Sequence, residues 1–345
     1  MSRLTKPSLK RNRKTAMNDS TLPADTHPDL DLIRTAIPDG QPDWTENICF
    51  HVHDQETGIC LYAHLGRMQP DRTIWEGLSL IYLPNGEVLV NRSLGVSLAE
   101  ARNKEYHFRP VTPLQTWQYD FDGVAQRVNP EDLRTRPVAD EPFEAVSYSL
   151  TFNAAHPVYN MHRSGRDAEH MHLEHGGWFE GEFLIEGKTI AVRAPGYRDH
   201  SVSRRTFTTL DTETWANCTF PGGRAFSMLQ VSRGERHFQK GQIFRDGKLQ
   251  VAQPLNVPEL SDSKGTPGRG HIELEVDGEK IGIEYETISP HFLPFNLLRP
   301  VGMRPGMDLS NPENIVAVQC PTRYRWDGET GYGWLERSRA QKSLR

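Results

Sequence analysis

The chain has 345 residues, of which 36% are hydrophobic, 25% charged and 9% aromatic, a composition that excludes a collagenous or wholly disordered protein. The 40 Lys and Arg residues against 45 Asp and Glu residues give a formal net charge of −5, which disfavours nucleic-acid binding. No run approaches 18 consecutive apolar residues, so the sequence predicts no integral membrane segment.

Residues 1–28 predict a disordered N-terminal extension. Six of the first 14 residues are basic, and the stretch that follows is acidic and contains prolines. Met17 offers a second possible start of translation. Because the N-terminus lacks the apolar core of a secretory signal, we expect a cytoplasmic protein whose four cysteines are free thiols.

From Trp44 onward the pattern is typical of β-structure. Short alternating runs are separated by Asn-Gly or Asp-Gly pairs, for example at residues 85–86, 122–123, 246–247 and 277–278. Such pairs are the strongest local signals for β-hairpins. Helical signals are confined to residues 30–36 and 97–104, and no GxGxxG or GxxxxGK[ST] motif predicts a nucleotide cofactor.

The number of hairpins and the length together predict an all-β protein of two antiparallel barrels. We place the first barrel domain at residues 29–200 and the second at residues 201–345. Residues 256–269, rich in Ser, Pro and Gly, predict a loop inside the second domain.

The densest polar run lies at residues 196–205, where Arg198, Asp199 and His200 are consecutive. An Asp in a mostly apolar cavity has a raised pKa and can act as a general acid. The alternative is a structural ion pair between Arg198 and Asp199 where the two domains meet.

A second polar run contains His170, His172 and Glu174, which would share one face of a strand. Three such ligands could hold Zn or Fe, which leaves a metal-dependent enzyme as a rival interpretation. The sequence is nevertheless interpreted as requiring no metal and no other cofactor.

Several motifs resemble the AttH-like family, which includes the carotenoid 1,2-hydratases (hydroxyneurosporene synthases). The resemblance is carried by Glu-His-Gly-Gly-Trp at 174–178, the turn at 186–187 and Gly-Tyr-Arg-Asp-His-Ser at 196–201. Supporting matches at 61–67, 75–77, 241–247 and 331–336 extend it over about residues 41–337. One departure is clear, because Val202 and Ser203 stand where the family has Trp and Gly.

The resemblance implies two lipocalin-like (calycin) barrels in tandem and an enzyme that protonates a C=C bond. By this resemblance Asp199 is the acid, His200 orients it or relays the proton, and Glu174 is a second candidate acid. The expected substrate-binding residues are Arg198, Tyr197, Trp178, Trp75 and Arg205.

The expected partner is a hydrophobic small molecule of isoprenoid or steroid-like type. The expected reaction is hydration, dehydration, double-bond isomerisation or cyclisation. A lipocalin-like carrier that binds such a molecule without changing it is the alternative, and the sequence predicts no particular oligomeric state.

Overall fold

The computed structural model of the protein describes residues 26–162, 170–205, 209–262, 268–296 and 302–344. Most of the predicted N-terminal extension, residues 1–25, lies outside the described residues. Pro28 begins a 3-10 helix, Pro28–Asp31. None of the helices among the described residues has the length and apolar character of a membrane crossing.

The first sheet contains eleven strands. They are β1 (Trp44–His53), β2 (Cys60–Arg67), β3 (Ile74–Tyr82), β4 (Val88–Val96), β5 (Ala101–Arg102), β6 (Tyr106–Thr112), β7 (Thr116–Val128), β8 (Phe143–Ala154), β9 (Tyr159–Asn160), β10 (Met171–Ile185) and β11 (Lys188–Arg204). The short helix α1 (Pro130–Leu133) lies between β7 and β8.

Eight of these strands close into an antiparallel barrel. Their order is β4-β3-β2-β1-β11-β10-β8-β7, and the barrel closes where β4 pairs with β7. Strands β5, β6 and β9 extend the sheet beyond the ring.

The second sheet contains ten strands. They are β12 (Thr212–Thr219), β13 (Ala225–Arg233), β14 (Arg236–Arg245), β15 (Lys248–Asn256), β16 (Arg269–Val276), β17 (Glu279–Thr287), β18 (His291–Asn296), β19 (Gly302–Met303), β20 (Ile315–Trp326) and β21 (Glu329–Ala340), with a 3-10 helix, Gln341–Ser343, at the end.

Eight strands of the second sheet also form a closed ring, in the order β17-β16-β15-β14-β13-β12-β21-β20, with β17 paired to β20. The prediction of an all-β protein with two antiparallel barrels is therefore confirmed. The first sheet ends at Arg204 and the second begins at Thr212.

Tight turns set the register of four long hairpins. At residues 186–187, 246–247, 277–278 and 327–328 both central residues have positive φ. This backbone matches the right-handed twist of the flanking strands, and Gly at the second position adopts it without steric cost.

Three local predictions are wrong. The pair Asp122-Gly123 does not turn, because β7 continues through it to Val128. Residues 97–104 form no helix and include β5 instead. The helix expected at residues 30–36 is reduced to the end of the 3-10 helix. At Asp122-Gly123, pairing with the distant strand β8 overrides the local preference for a turn.

Aromatic and aliphatic side chains fill the interior of the first barrel. Phe50 stacks on Phe179 with ring centroids 5.2 Å apart, and Tyr119 lies 4.2 Å from Phe50. Trp75 and Trp117 are fully buried in the same cluster. The first barrel is therefore packed like an ordinary protein core.

A buried network of charges lies at one end of this core. Arg198 donates to both carboxylate oxygens of Asp31, at 2.9 and 2.8 Å. His200 contacts Glu46 at 3.0 Å, and Arg67 pairs with the same Glu46. All five side chains are fully buried. Burial is offset by Arg198 and His200, which keep the pKa of Asp31 low.

The two barrels meet through their outer faces. Tyr62 of β2 stacks on Trp334 of β21 with centroids 5.4 Å apart, and His51 contacts Asn217. Gly176 allows the close approach, because a Cβ there would collide with Thr219 of the second barrel. The contact is therefore built from packed rings and close backbone approach.

We expect Asp31→Asn to lower the free energy of unfolding by about 3–5 kcal/mol, because it leaves the buried Arg198 without its counter-charge. The measurement is chemical denaturation followed by tryptophan fluorescence. The control is Asp29→Asn on the same 3-10 helix, whose side chain is 75% exposed. Equal stability of the two variants would contradict a structural role for the network.

Candidate functional site

Side-chain alternation along β11 separates the residues of the polar run into two groups. Arg198 and His200 point into the first barrel and join the buried charge network. Asp199 and Tyr197 point the other way, towards the second barrel, where Tyr197 accepts a hydrogen bond from Gln242 at 2.6 Å. The run is therefore not one site, and the alternative ion pair between Arg198 and Asp199 is replaced by the pair of Arg198 with Asp31.

Strand β10 brings Glu174 and His172 beside Asp199. In the antiparallel pairing of β10 with β11, Glu174 lies directly opposite Asp199, and His172 is the next residue on the same face. Gly176 and Gly177 do not end the strand, which continues to Ile185. Three groups with proton chemistry thus converge on the outer face of the first barrel.

His172 lies between two carboxylates. Its Nε2 atom is 2.9 Å from Asp199 Oδ2 and 3.0 Å from Glu174 Oε1. Burial alone would lower the pKa of His172, but the two carboxylates outweigh it and raise this pKa to about 9. Burial would raise the pKa of Asp199, and the His172 contact reverses this and lowers it. At neutral pH the pair is an imidazolium and a carboxylate.

The second barrel positions Glu174. Trp215 Nε1 donates to Oε1 of Glu174 at 2.9 Å, and Ser227 Oγ donates to Oε2 at 2.8 Å. The side chain is fully buried, and burial raises its pKa. Glu174 therefore contacts both barrels: it accepts hydrogen bonds from the second barrel and forms an ion pair with His172 of the first.

A cavity opens between the barrels in front of His172 and Asp199. The centres of water-sized molecules have about 80 Å³ of room in it, and part of it opens to solvent. Aromatic and aliphatic side chains supply much of its wall: Tyr62, Met68, Leu210, Trp215, Leu229, Phe295, Met303 and Ile315. A largely apolar cavity with a few converging polar groups is the usual form of a small-molecule site.

The polar part of the wall comes from both barrels. On the first barrel, burial lowers the pKa of His64 to about 4, and its Nε2 lies 3.2 Å from Asn47 Oδ1. From the second barrel, Glu213 and Glu336 reach the same space. Arg205 lies at the junction of the two sheets and donates to Ser201 Oγ at 2.7 Å.

The other predicted site residues lie in different places. Trp75 is in the core of the first barrel, under the Arg67 guanidinium. Trp178 is on the outer surface, with Arg193 over its ring at 5.7 Å. Arg205 lines the cavity, whereas Arg198 and His200 do not line it and are fully buried inside the first barrel.

Sequence reasoning missed the contribution of the second barrel. Glu213 and Glu336 stand on neighbouring strands β12 and β21, more than 100 residues apart in the chain. The only available signal was the polar Glu336 at the end of the motif at 331–336. His172 was considered only as a metal ligand with His170, but β10 begins at Met171 and Asp199 takes the third place.

Val202 and Ser203, which stand where the AttH-like pattern has Trp and Gly, do not line the cavity. Val202 packs against Trp44, Met171 and Leu173 at the end of the first barrel, on the same side of β11 as His200. Ser203 accepts a hydrogen bond from Arg205 at 3.3 Å. The change therefore alters local packing and does not remove a cavity-lining group.

The same three residues could hold a metal ion. One ligand atom from each of His172, Glu174 and Asp199 lies within 4.8 Å of the others. An imidazole and two carboxylates are suitable ligands for Zn or Fe. A protonated His172 balances the charge of the carboxylates without a metal, since its Nε2 lies at ion-pair distance from both of them.

A family model described as a domain of unknown function, DUF7064, matches residues 30–341. No curated protein matches the chain.

Among the solved structures that resemble most of this chain are two with TM-scores above 0.5. One is a protein assigned to AttH from Nitrosomonas europaea, with a TM-score of 0.57 and 9% identity over 88% of this chain and 97% of that one. The other is kievitone hydratase from Nectria haematococca, with a TM-score of 0.51 and 10% identity over 90% of this chain and 94% of that one. The predicted resemblance to AttH-like proteins is confirmed at the level of fold.

The contacts of His172 predict a pH-dependent stability. Because folding raises its pKa from 6.5 to about 9, the ion pair contributes fully below pH 6.5. This contribution is lost as the pH rises through about 9. We expect the imidazole to titrate near pH 9 by NMR, and Asp199→Asn to lower that midpoint.

The matched comparison is His172→Gln. Between pH 6.5 and 9 the wild-type protein should lose more unfolding free energy than this variant does. A His172 midpoint near 6.5 would contradict the ion pair.

Proposed function

This chain belongs to the DUF7064 family, and we propose that it is a hydratase or dehydratase acting at a C=C bond of an apolar small molecule. The observation that carries the proposal is the His172–Asp199 pair at the wall of the cavity between the barrels. This pair places the ionised carboxylate of Asp199 at the wall of a cavity with much apolar surface. In such a space, fixed charges stabilise the charges that develop during proton transfer more strongly than they do in water.

Asp199 has the role of general base, which revises the acid role expected from the sequence. In hydration it accepts a proton from the water molecule whose oxygen bonds to carbon, while the neighbouring carbon receives a proton from an acid. In dehydration the same steps run backwards: Asp199 gives its proton to the hydroxyl group of the substrate, which leaves as water, and the neighbouring carbon loses its proton to form the double bond. The contact with His172 keeps Asp199 ionised at neutral pH, which is the protonation state that a base requires.

His172 and Glu174 are positioning residues in this proposal. The imidazolium keeps Asp199 ionised and fixes the direction of its carboxylate. Glu174 fixes the imidazole and is itself held by Trp215 and Ser227. Such second-level hydrogen bonds keep the reacting groups in productive geometry.

The proposed substrate is an apolar molecule of isoprenoid or steroid-like type. Tyr62, Trp215 and Phe295 present aromatic surface to the cavity, which suits a flat or branched hydrocarbon. Aromatic faces also stabilise the positive charge that develops when an alkene is protonated. The likeness in fold to a kievitone hydratase is in keeping with a hydration reaction.

The test is incubation of the purified protein with a panel of isoprenoid, steroid and prenylated aromatic alkenes in ¹⁸O-labelled water. Incorporation of one labelled oxygen per product, detected by mass spectrometry, is the expected result. A molecule that binds in stoichiometric amount and returns unchanged would instead support the carrier alternative.

We expect Asp199→Asn to reduce kcat by about 10²–10⁴-fold on any substrate that the wild-type protein hydrates, because an amide cannot accept the proton from water. The control is Asp122→Asn on β7, an exposed position outside the cavity. Both variants are checked for folding by circular dichroism. Full activity of Asp199→Asn would refute the assignment of the base.

A metal-dependent enzyme is the second candidate, favoured by the convergence of His172, Glu174 and Asp199. Elemental analysis of protein purified without a polyhistidine tag separates the two. The proton-based proposal predicts less than about 0.1 equivalent of Zn, Fe or Mn per chain, since a proton occupies the place of the metal between the same ligands. One equivalent that is lost in Asp199→Asn would favour the metal.

A further inference from the structure

Two carboxyl groups of the second barrel face the cavity as neighbours. In the pairing of β12 with β21, Glu213 lies opposite Ser338 and Trp215 lies opposite Glu336. All four side chains line the cavity, so they share the outer face of this sheet. Glu213 and Glu336 are thus diagonal cross-strand neighbours, at a spacing that long side chains easily bridge.

Glu336 is held in a defined orientation. Gln319 donates a hydrogen bond to one of its carboxylate oxygens and accepts one from Trp334 Nε1. Ser338 Oγ donates to the other carboxylate oxygen at 3.4 Å. The chain of contacts connects Glu336 to the packed rings between the barrels.

Two carboxylates in a poorly solvated space do not both ionise at neutral pH, because each raises the cost of charging the other. Burial, and next the charge of Glu213, raise the pKa of Glu336 to about 7. Burial also raises the pKa of Glu213. Both shifts favour a proton on this half-buried pair, whereas the pKa of Asp199, on the other barrel, is lowered.

We infer that Glu336 is the proton donor of the cavity, a catalytic residue on the second barrel that works with Asp199 on the first; this inference rests on the proposed function. In hydration, the Glu336 proton bonds to one alkene carbon and the electron pair of the double bond forms that bond. Water bonds to the adjacent carbon and releases its proton to Asp199. The proton then returns from Asp199 to Glu336 through solvent, so the enzyme is restored and the net reaction is addition of water.

Titratable and charged groups from several elements face the Glu213–Glu336 pair. The charged ones are Arg205 after β11, Arg233 on β13, and His172 and Asp199 on β10 and β11. The uncharged ones are the thiols of Cys49 on β1 and Cys320 on β20 and the phenol of Tyr62 on β2. Glu213 is the neighbour that raises the pKa of Glu336, and Arg205 opposes it. Replacing Glu213 therefore changes the proton affinity of Glu336 while Glu336 itself stays in place.

The first experiment needs no substrate. Protein labelled with ¹³C at the Glu carboxyl carbons is titrated by NMR, and the Glu336 resonance is the one missing from Glu336→Gln. We expect a midpoint near pH 7 in the wild type and a midpoint lower by about one unit or more in Glu213→Gln. A wild-type midpoint near the ordinary Glu value of 4.5 would overturn the inference.

The second experiment uses any alkene of the panel that the wild-type protein hydrates. Glu336→Gln should lower kcat by about 10²-fold or more, and Glu213→Gln should move the alkaline limb of the kcat profile to lower pH. The matched control is Glu284→Gln, an exposed position on β17. Equal rates for Glu336→Gln and Glu284→Gln would overturn the donor role.

The two experiments separate the inference from the proposed function. If no alkene is hydrated by the wild type, the proposed function fails. The carboxyl titration then still decides whether Glu336 holds a proton at neutral pH.

Discussion

The alternation of side chains along β11, in which every second residue points to the same face, is the constraint on which the rest of the structure depends. Successive side chains of a strand point to opposite faces, so Arg198 and His200 enter the first barrel while Asp199 faces the second. One strand therefore contributes both to the packed core and to the wall of the cavity. A shift of register by one residue would exchange the two sets and place Asp199 in the core.

The buried charges make that register unambiguous. Arg198 donates to both oxygens of Asp31, and His200 contacts Glu46, so these buried charged groups have partners of opposite sign. A slipped strand would leave these charges unpaired inside a low-dielectric core, at a cost of several kcal/mol for each. The network contributes specificity of the fold, and through β11 it fixes where Asp199 stands.

Much of the fold was predictable because hairpin signals are local. The Asp-Gly turns at 246–247 and 277–278 need only two residues to specify their backbone. The pair Asp122-Gly123 misled because the same residues also fit the middle of a long strand once β6 and β8 pair with it.

The site was only partly predictable, because strand pairing between distant segments decides it. Asp199, Glu174 and Arg205 were identified from a motif, but the partner of Arg198 lies 167 residues away at Asp31. The placement of Glu336 depends on the packing of one barrel against the other, which no local pattern reports. The sequence therefore indicates which residues could carry the chemistry. Which of them lie together depends on the strand register of both sheets.

The seam between the barrels also bears on how the chain is synthesised. The first ring of strands is complete at Arg204, before any strand of the second barrel exists. Until β12 and β21 arrive, Tyr62 and the other outward-facing apolar residues of the first barrel are exposed to water. A nascent chain at this stage carries an exposed apolar surface that is prone to aggregation. We expect it to need either rapid synthesis and folding of the second barrel or protection by a chaperone. A truncated first barrel produced alone would retain that surface permanently and should self-associate.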